Sequence, residues 1–290
     1  MKEQLDLTTY QQIAEQFHPL TESEAMLHAF IVEHFEELSY YGITDLAQKV
    51  RISKATIGRY LNKLGYTGYA EFKTALRRDL MAHNMIKPVE ANRIINKNTD
   101  TKTESLRFIT NICQLVDQFS ATLNIDEIDK LVKLIADKSR RIYVIGPASS
   151  QSLAIHFSTL LKYTRSDVYL LPLDRAELPK ALLGITEHDI LLAFSYYRFS
   201  SIVLDVTKYF NSKNAHVTVV TNTSSNPYTV YSTTQHILPS DVDSIFYSRT
   251  IVFLFVELLL ALIQRETKYK DNFEELENLF KFFGTFSSLE

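Results

Sequence analysis

The stretch "DLAQKVRISKATIGRYLNKLGYTGYAEFK", Asp45–Lys73, decides the fold of the first part of the chain. Its apolar residues recur three and four positions apart, which is typical of amphipathic helices. Arg51 and Ile52 interrupt this pattern and predict a short turn. Ser53 follows the turn and is placed to cap a second helix, because its hydroxyl can accept an N–H group of residue 55 or 56. The stretch therefore predicts two helices joined by a tight turn.

The spacing also predicts which faces of the two helices meet. Thr44 is the predicted cap of the first helix, and Ala47 lies where the helices must approach each other closely. The second helix faces the first through residues at positions i, i+4 and i+7, which are Ile57, Leu61 and Leu64. Gly65 ends the second helix. A helix-turn-helix follows.

The charge distribution indicates a polyanionic partner for this unit. Residues 1–45 hold one base and nine acids, whereas residues 46–78 hold eight bases and one acid. A basic surface inside a chain of net charge −3 is typical of a nucleic-acid footprint. We therefore predict binding to double-stranded DNA. The predicted contacts are Ser53, Lys54, Ala55, Thr56, Arg59, Lys63 and Lys73.

Different members of this set have different predicted tasks. Arg59 is suited to bidentate recognition of a guanine in the major groove. Lys54, Lys63 and Lys73 are predicted phosphate contacts, which set affinity and its salt dependence. Gly58 lies inside the second helix, where glycine is unfavourable. Close approach of the backbone to DNA would account for it, and a neutral loss of the side chain is the alternative.

The chain as a whole is predicted to have two domains joined by a linker. We place an all-helical DNA-binding domain at 1–80, a polar linker at 81–103 and an α/β domain at 104–290. In the last of these, short apolar runs alternate with helical stretches. The predicted strands are Arg141–Ile145, Val168–Leu171, Ile190–Phe194, Val217–Thr221 and Gln235–Leu238.

Strands that alternate with helices predict a five-stranded parallel sheet in a three-layer α/β/α arrangement. Ligands of such sheets bind beyond the carboxyl ends of the strands. The segments "GPASSQS", "SYYRFSS" and "NTSSNP" follow three of the strands. We therefore expect these segments to converge on one binding site.

Several broad classes of protein are disfavoured. Cys113 is the one cysteine, so an intramolecular disulfide is excluded. The N-terminus lacks an apolar run of signal-peptide type, and the longest apolar run, Ile251–Ile263, is shorter than a membrane span of about 20 residues. We expect a cytoplasmic protein without membrane association. No metal ligands, cofactor-binding residues or catalytic residues are predicted.

The residues above resemble the RpiR family of bacterial transcriptional regulators, which join a helix-turn-helix to a sugar isomerase (SIS) domain that binds phosphosugars. The resemblance extends over nearly the whole chain and is strongest in Asp45–Lys73. Arg51 stands where the family commonly has glycine. The resemblance implies control of sugar metabolism genes by a phosphorylated sugar, a homodimer or higher homo-oligomer, and no enzymatic activity.

The resemblance also implies which residues hold the effector. A strand ending in Gly-x-Gly-x-Ser corresponds to "IYVIGPASS", with Ala148 in place of the second glycine. A Ser-x-Ser-Gly-x-Thr loop corresponds to "SYYRFS", with Tyr197 and Arg198 in place of the second serine and the glycine. The implied effector-binding residues are Gly146, Ser149, Ser150, Ser195, Tyr197, Arg198 and Ser200.

Two alternatives to effector sensing stay open. The α/β domain could serve only in dimerisation, with Tyr197 and Arg198 filling its pocket. It could also be a sugar-phosphate isomerase, which needs a positioned base. The available groups are Glu177, Glu187, His188, Asp241 and His156. Glu187 and His188 indicate a solvated turn, and His156 indicates a packed helical position, so no acid–base pair is predicted.

Overall fold

The structure of the protein is a computed structural model. It describes residues 5, 7–17, 19–35, 38, 41–76, 99–196, 199–242, 246–267 and 270–286. The chain divides into two compact units. One consists of Met1–Asn96 and Ser224–Val230, and the other of Lys97–Thr223 and Tyr231–Glu290.

The first unit is helical around a core of its own. Its helices are α1 (Leu7–Glu15), α2 (Glu22–Glu33), α3 (Ile43–Val50) and α4 (Lys54–Lys63), and residues 69–76 are helical as well. The residues by which the second helix is predicted to face the first, Ile57, Leu61 and Leu64, are buried. The predicted helix-turn-helix is therefore confirmed.

The second unit is a parallel sheet covered by helices. Its elements are α5 (Thr101–Thr122), α6 (Ile125–Ala136), β1 (Ile142–Ile145), α7 (Gln151–Leu161), β2 (Val168–Leu170), α8 (Leu178–Ala181), β3 (Ile190–Phe194), α9 (Ser201–Ser212), β4 (His216–Thr221), β5 (Thr234–Ile237), α10 (Thr250–Glu266) and α11 (Lys270–Phe282). The strand order is β2-β1-β3-β4-β5, and all four pairings are parallel. The predicted fold class is confirmed, and each strand lies within one residue of its predicted bounds.

The order of the strands positions the loops that matter for function. Strand β3 lies at the centre of the sheet between β1 and β4, and β1 pairs on its other side with β2. Every residue of β1 and β3 is buried, as expected for strands covered on both faces. The loops that follow β1, β3 and β4 consequently leave neighbouring strands at the same edge of the sheet.

The predicted linker, 81–103, ends earlier in the structure than the sequence predicts. Residues 81–98 of the predicted linker lie outside the described residues. Helix α5 begins at Thr101, three residues before the predicted domain start. Asp100 causes the earlier start, because its carboxylate accepts the N–H groups of Lys102 and Thr103, each at 3.0 Å.

A buried arginine ties the loop before β1 to the loop before β2. The Arg165 side chain is 1% exposed and forms two hydrogen bonds with the carboxylate of Asp167. It also donates to the backbone carbonyls of Ile135, Asp137 and Arg140. A buried cation of this kind is stable because its charge and its N–H groups are matched. Among the described helices, none combines the length and the apolar character needed to cross a membrane.

Candidate functional site

Helix α3 and the turn after it depart in one respect from the predicted geometry. Thr44 is not the cap: α3 begins one residue before it, at Ile43, with Gly42 as N-cap. The carboxylate of Asp45 takes over the capping role by accepting the Gly42 N–H at 3.0 Å. Arg51 ends the helix with φ 58° and ψ 40°, a left-handed conformation that favours glycine. This explains why a glycine is common at that position of the motif.

Helix α4 is capped as predicted at both ends. The Ser53 hydroxyl accepts the Thr56 N–H at 3.0 Å. At the other end Gly65 has φ 86°, and the Tyr66 N–H reaches back to the carbonyl of Leu61. The bounds of the candidate recognition helix are therefore set by local sequence.

The exposed face of α4 carries the side chains expected to contact DNA. Lys54, Ala55 and Arg59 are exposed, and Thr56 is partly buried. The Arg59 Nη2 lies 3.5 Å from the Thr56 hydroxyl, one helical turn away. A Cβ added at Gly58 would meet no atom within 4 Å, so packing inside the chain does not require a glycine there.

The structure gives two of the predicted phosphate contacts partners inside the protein. Lys63 forms an ion pair with Glu24 of α2, whose side chain is only 9% exposed. The hydrogen bond from Lys63 lowers the pKa of Glu24. Lys73 donates to the carbonyl oxygen of Tyr41 at 2.6 Å. Both lysines thus support the helical unit, which sequence spacing did not predict.

A second set of polar contacts holds α4 against α1 and α2. The hydroxyl groups of Tyr10 and Tyr60 lie 3.1 Å apart, and each lies within 3.2 Å of the Nδ1 atom of His28. Burial raises the pKa of both tyrosines. Together with the Glu24–Lys63 pair, this cluster fixes the orientation of α4 within its unit.

The second candidate site is the crevice at the carboxyl edge of the sheet, and its first wall is the loop after β1. Gly146 is buried there, and a Cβ at this position would collide with the carbonyl oxygen of Ser150. Ala148 has φ 50°, a conformation that favours the glycine it replaces. The turn places Ser149 at the surface and Ser150 at 3% exposure, just before α7.

The second wall is the loop after β3. Ser195 is 1% exposed, and its N–H donates to the carbonyl of Val220. Ser200 is partly buried and directly precedes α9. Tyr197 and Arg198, which the resemblance places in this loop, lie outside the described residues. The structure therefore brings the serines of the two loops to neighbouring strand ends. The contacts predicted for Tyr197 and Arg198 stay predictions.

Arg249 is a residue of this crevice that sequence reasoning missed. It directly precedes α10, and its Nη2 donates to the Ser149 hydroxyl at 3.1 Å. Its guanidinium carbon lies 4.7 Å from the ring centroid of Tyr196, the residue after Ser195. Desolvation lowers the pKa of Arg249. The positively charged guanidinium thus contacts both loops. Ser149 and Arg249 are 100 residues apart in the sequence, so spacing does not indicate this contact.

Buried polar atoms without partners are concentrated at this edge of the sheet. Within the described parts of the chain, five buried side-chain atoms lack a hydrogen bond. Three of them belong to Tyr196, Thr221 and Arg249. Thr221 is the last residue of β4. Native structures rarely contain buried polar atoms without a hydrogen bond. A binding site for a polar ligand is one physical explanation for such atoms.

The groups considered for proton abstraction are dispersed. Glu177 pairs with Lys180, and Glu187 lies beside His188 in an exposed turn. His156 packs edge-on against Phe253 with its ring centroid 5.4 Å away, and its Nε2 lies 3.8 Å from Glu257. In the described residues no group of histidine, cysteine, aspartate and glutamate side chains has the geometry of a metal site.

Two family models match the chain, one in its N-terminal part and one in its C-terminal part. Residues 8–83 match the helix-turn-helix domain of the rpiR family. Residues 134–262 match the SIS domain. The first match contains α1 from its second residue onward together with α2 to α4, and the second contains the whole parallel sheet and both walls of the crevice.

Individual relatives and solved structures agree with these matches. The HTH-type transcriptional regulator GlvR of Bacillus subtilis is 21% identical over 276 residues, covering 89% of this chain and 95% of GlvR. The structure of Vibrio vulnificus NanR complexed with ManNAc-6P covers 95% of this chain and 98% of that one, with a TM-score of 0.52 and 17% identity. The sugar isomerase domain of an RpiR transcription factor from Sphaerobacter thermophilus covers 60% of this chain and 98% of its own, with a TM-score of 0.56 and 16% identity. This chain belongs to the RpiR family of helix-turn-helix transcriptional regulators and carries a C-terminal SIS domain.

Proposed function

We propose that the SIS domain of this regulator senses a phosphorylated sugar and that the bound sugar changes the affinity of the protein for its operator. The observation that carries the proposal is the convergence of Ser149, Ser150 and Ser195 at the carboxyl ends of the adjacent strands β1 and β3. Serine hydroxyl groups at such strand ends can donate hydrogen bonds to phosphate oxygens. They can also donate to, or accept from, the hydroxyl groups of a sugar.

The backbone supports the same ligand. Helices α7 and α9 begin immediately after Ser150 and Ser200, and helix N-termini favour negative charge. Gly146 lets the β1 loop turn tightly enough to bring Ser150 to the strand end. The relative NanR forms a complex with ManNAc-6P, a phosphorylated sugar. Gly146, Ser149, Ser150, Ser195, Ser200, Tyr197 and Arg198 are proposed as the effector-binding set.

For the operator, we propose that α4 enters the major groove with its exposed face. Arg59 would contact a base, and Lys54 would contact phosphate. Ser53, Ala55 and Thr56 lie at the start of the same helix, where recognition helices meet base edges. Lys63 and Lys73 act mainly through their internal partners.

We further propose that the protein works as a homodimer in the cytoplasm and has no enzymatic activity. A helix-turn-helix dimer addresses two half-sites about one turn of DNA apart. A groove of about 470 Å³ on the SIS domain, lined mostly by residues of α7, α10 and α11, offers an apolar surface for a second copy. Among the described residues, the candidate bases are dispersed and form no matched acid–base pair in the crevice.

Sensing requires that the ligand bind the DNA-competent and the incompetent form with different affinity. The same coupling free energy then appears in both directions, so operator DNA must also change the affinity for the sugar. This reciprocity distinguishes a sensor from a protein that binds both partners independently.

The test is a thermal-shift and calorimetric screen against hexose, pentose and amino-sugar phosphates, with the parent sugars as controls. An operator fragment is first selected from random DNA with the purified protein. We expect stabilisation by at least one phosphorylated sugar and a change in operator affinity when that sugar is present. No stabilisation by any phosphate, with unchanged operator binding, would favour a domain that serves only in dimerisation. Conversion of the sugar phosphate would indicate an isomerase.

A further inference from the structure

We propose that Arg249 supplies the positive charge that binds the anionic group of the effector in this crevice. The inference rests on the proposed function, because it names the residue that distinguishes a phosphorylated sugar from its neutral parent. Neither the sequence pattern nor the family matches point to this residue.

Arg249 lacks the carboxylate partner that two other arginines of this domain have. Arg165 pairs with Asp167, and Arg141 pairs with Asp189 through two hydrogen bonds of 2.7 Å. Among the described residues, no aspartate or glutamate forms an ion pair with Arg249, and its Nε has no hydrogen-bond partner. A partly buried guanidinium without a counter-ion is costly, and an anionic ligand would remove that cost.

The position of Arg249 makes the crevice the place where such an anion would bind. One of its amino groups contacts Ser149 of the β1 loop, and its guanidinium lies over Tyr196 of the β3 loop. The Tyr196 side chain is buried, and its hydroxyl has no hydrogen-bond partner. Arg249 also directly precedes the 17-residue helix α10, whose N-terminal dipole adds to the positive potential.

The chemistry favours phosphate over a neutral hydroxyl. A guanidinium presents paired N–H donors in a plane, which match two oxygens of a phosphate group. The Nε atom is buried and has no hydrogen-bond partner in the protein, and a phosphate oxygen of the ligand would provide one. The stacked Tyr196 ring restricts the rotation of the guanidinium, so little side-chain entropy is lost when the anion binds.

The test uses the full chain and the sugar phosphate that stabilises it most in the screen. Arg249→Met keeps the aliphatic stem over Tyr196 and removes the charge, and Arg249→Lys keeps the charge and removes the planar fork. We expect the affinity for the sugar phosphate to fall about 10- to 100-fold in Arg249→Met, with an intermediate loss in Arg249→Lys. Arg265→Gln, at the other end of α10, is the matched control and should bind like the wild type.

A measurement on the wild type covers the case in which the variants do not fold. Phenylglyoxal modifies accessible guanidinium groups, and peptide mapping reports each arginine separately. The sugar phosphate should protect Arg249 but not Arg265, and the neutral sugar should protect neither. Unchanged affinity in a folded Arg249→Met, or no protection of Arg249 while the sugar phosphate is bound, would overturn the assignment of Arg249. Absence of any sugar-phosphate binding by the wild type would instead overturn the proposed function.

Discussion

Gly58 is a single residue whose two explanations can be separated by experiment. It lies inside α4, where glycine is less stable than alanine by about 1 kcal/mol. A methyl group at this position would contact nothing within its own chain. Gly58→Ala should therefore raise the free energy of unfolding by about that amount, measured by denaturant titration.

The operator affinity of the same variant decides what the glycine is for. If the α4 backbone approaches DNA at Gly58, the added methyl group should weaken operator binding while the protein becomes more stable. Gel retardation at fixed salt measures this directly. A variant that is stabilised and binds the operator as tightly as the wild type would show that close approach is not the reason for the glycine.

Two other residues show how local conformation explains departures from a motif. Arg51 and Ala148 stand where the family pattern has glycine, and both have positive φ, 58° and 50°. The pattern therefore marks positions of left-handed backbone rather than a need for small size alone. Each side chain is tolerated at some cost in strain, about 1 kcal/mol or more for a residue in this region.

At the scale of the element, helix α4 is held in place by contacts that also limit which lysines can contact DNA. Lys63 pairs with the nearly buried Glu24 of α2, whereas Lys54 at the helix start is exposed and forms no ion pair among the described residues. Loss of the Lys63 charge leaves the Glu24 carboxylate without its counter-charge, which should cost about 1 to 2 kcal/mol of stability. Lys63→Gln should thus change unfolding more than DNA binding.

The salt dependence of operator binding distinguishes the two lysines. Lys54→Gln should reduce the slope of log K against log salt by about 1, as expected when one phosphate contact is lost. Lys63→Gln should leave the slope close to that of the wild type. Arg59→Ala should instead reduce the discrimination between operator and unrelated DNA, because Arg59 is the proposed base contact. A reduced slope in Lys63→Gln would mean that Lys63 leaves Glu24 to contact phosphate.

The elements themselves could be predicted because their signals are local. Apolar runs define the five strands, and Ser53 and Gly65 define α4, all within a few residues of the chain. The partner of Lys63 is 39 positions away from it, and Arg249 is 100 positions from Ser149. Contacts of that kind follow from the packing of helices and loops, which no spacing in the sequence records.

At the scale of the whole molecule, sensing depends on two sites in separate compact units. The candidate DNA-binding face lies in the helical unit, and the crevice lies in the SIS domain. A ligand at one site can act on the other only through a change between global states, and a dimer provides such states through the spacing of its two recognition helices. The oligomeric state is therefore the property on which the regulatory proposal depends most.

We predict that Leu160→Glu dissociates the proposed dimer. Leu160 lies in the apolar groove beside Phe273 and is 39% exposed, and a carboxylate buried there in an interface would lose its hydration without gaining a partner. Leu183→Glu is the control, because Leu183 is 77% exposed in the same domain. Sedimentation velocity should show a monomer for Leu160→Glu and a dimer for Leu183→Glu. Operator affinity should fall only in Leu160→Glu, since a monomer presents one recognition helix to a two-part site. A Leu160→Glu protein that stays dimeric would exclude this groove as the interface.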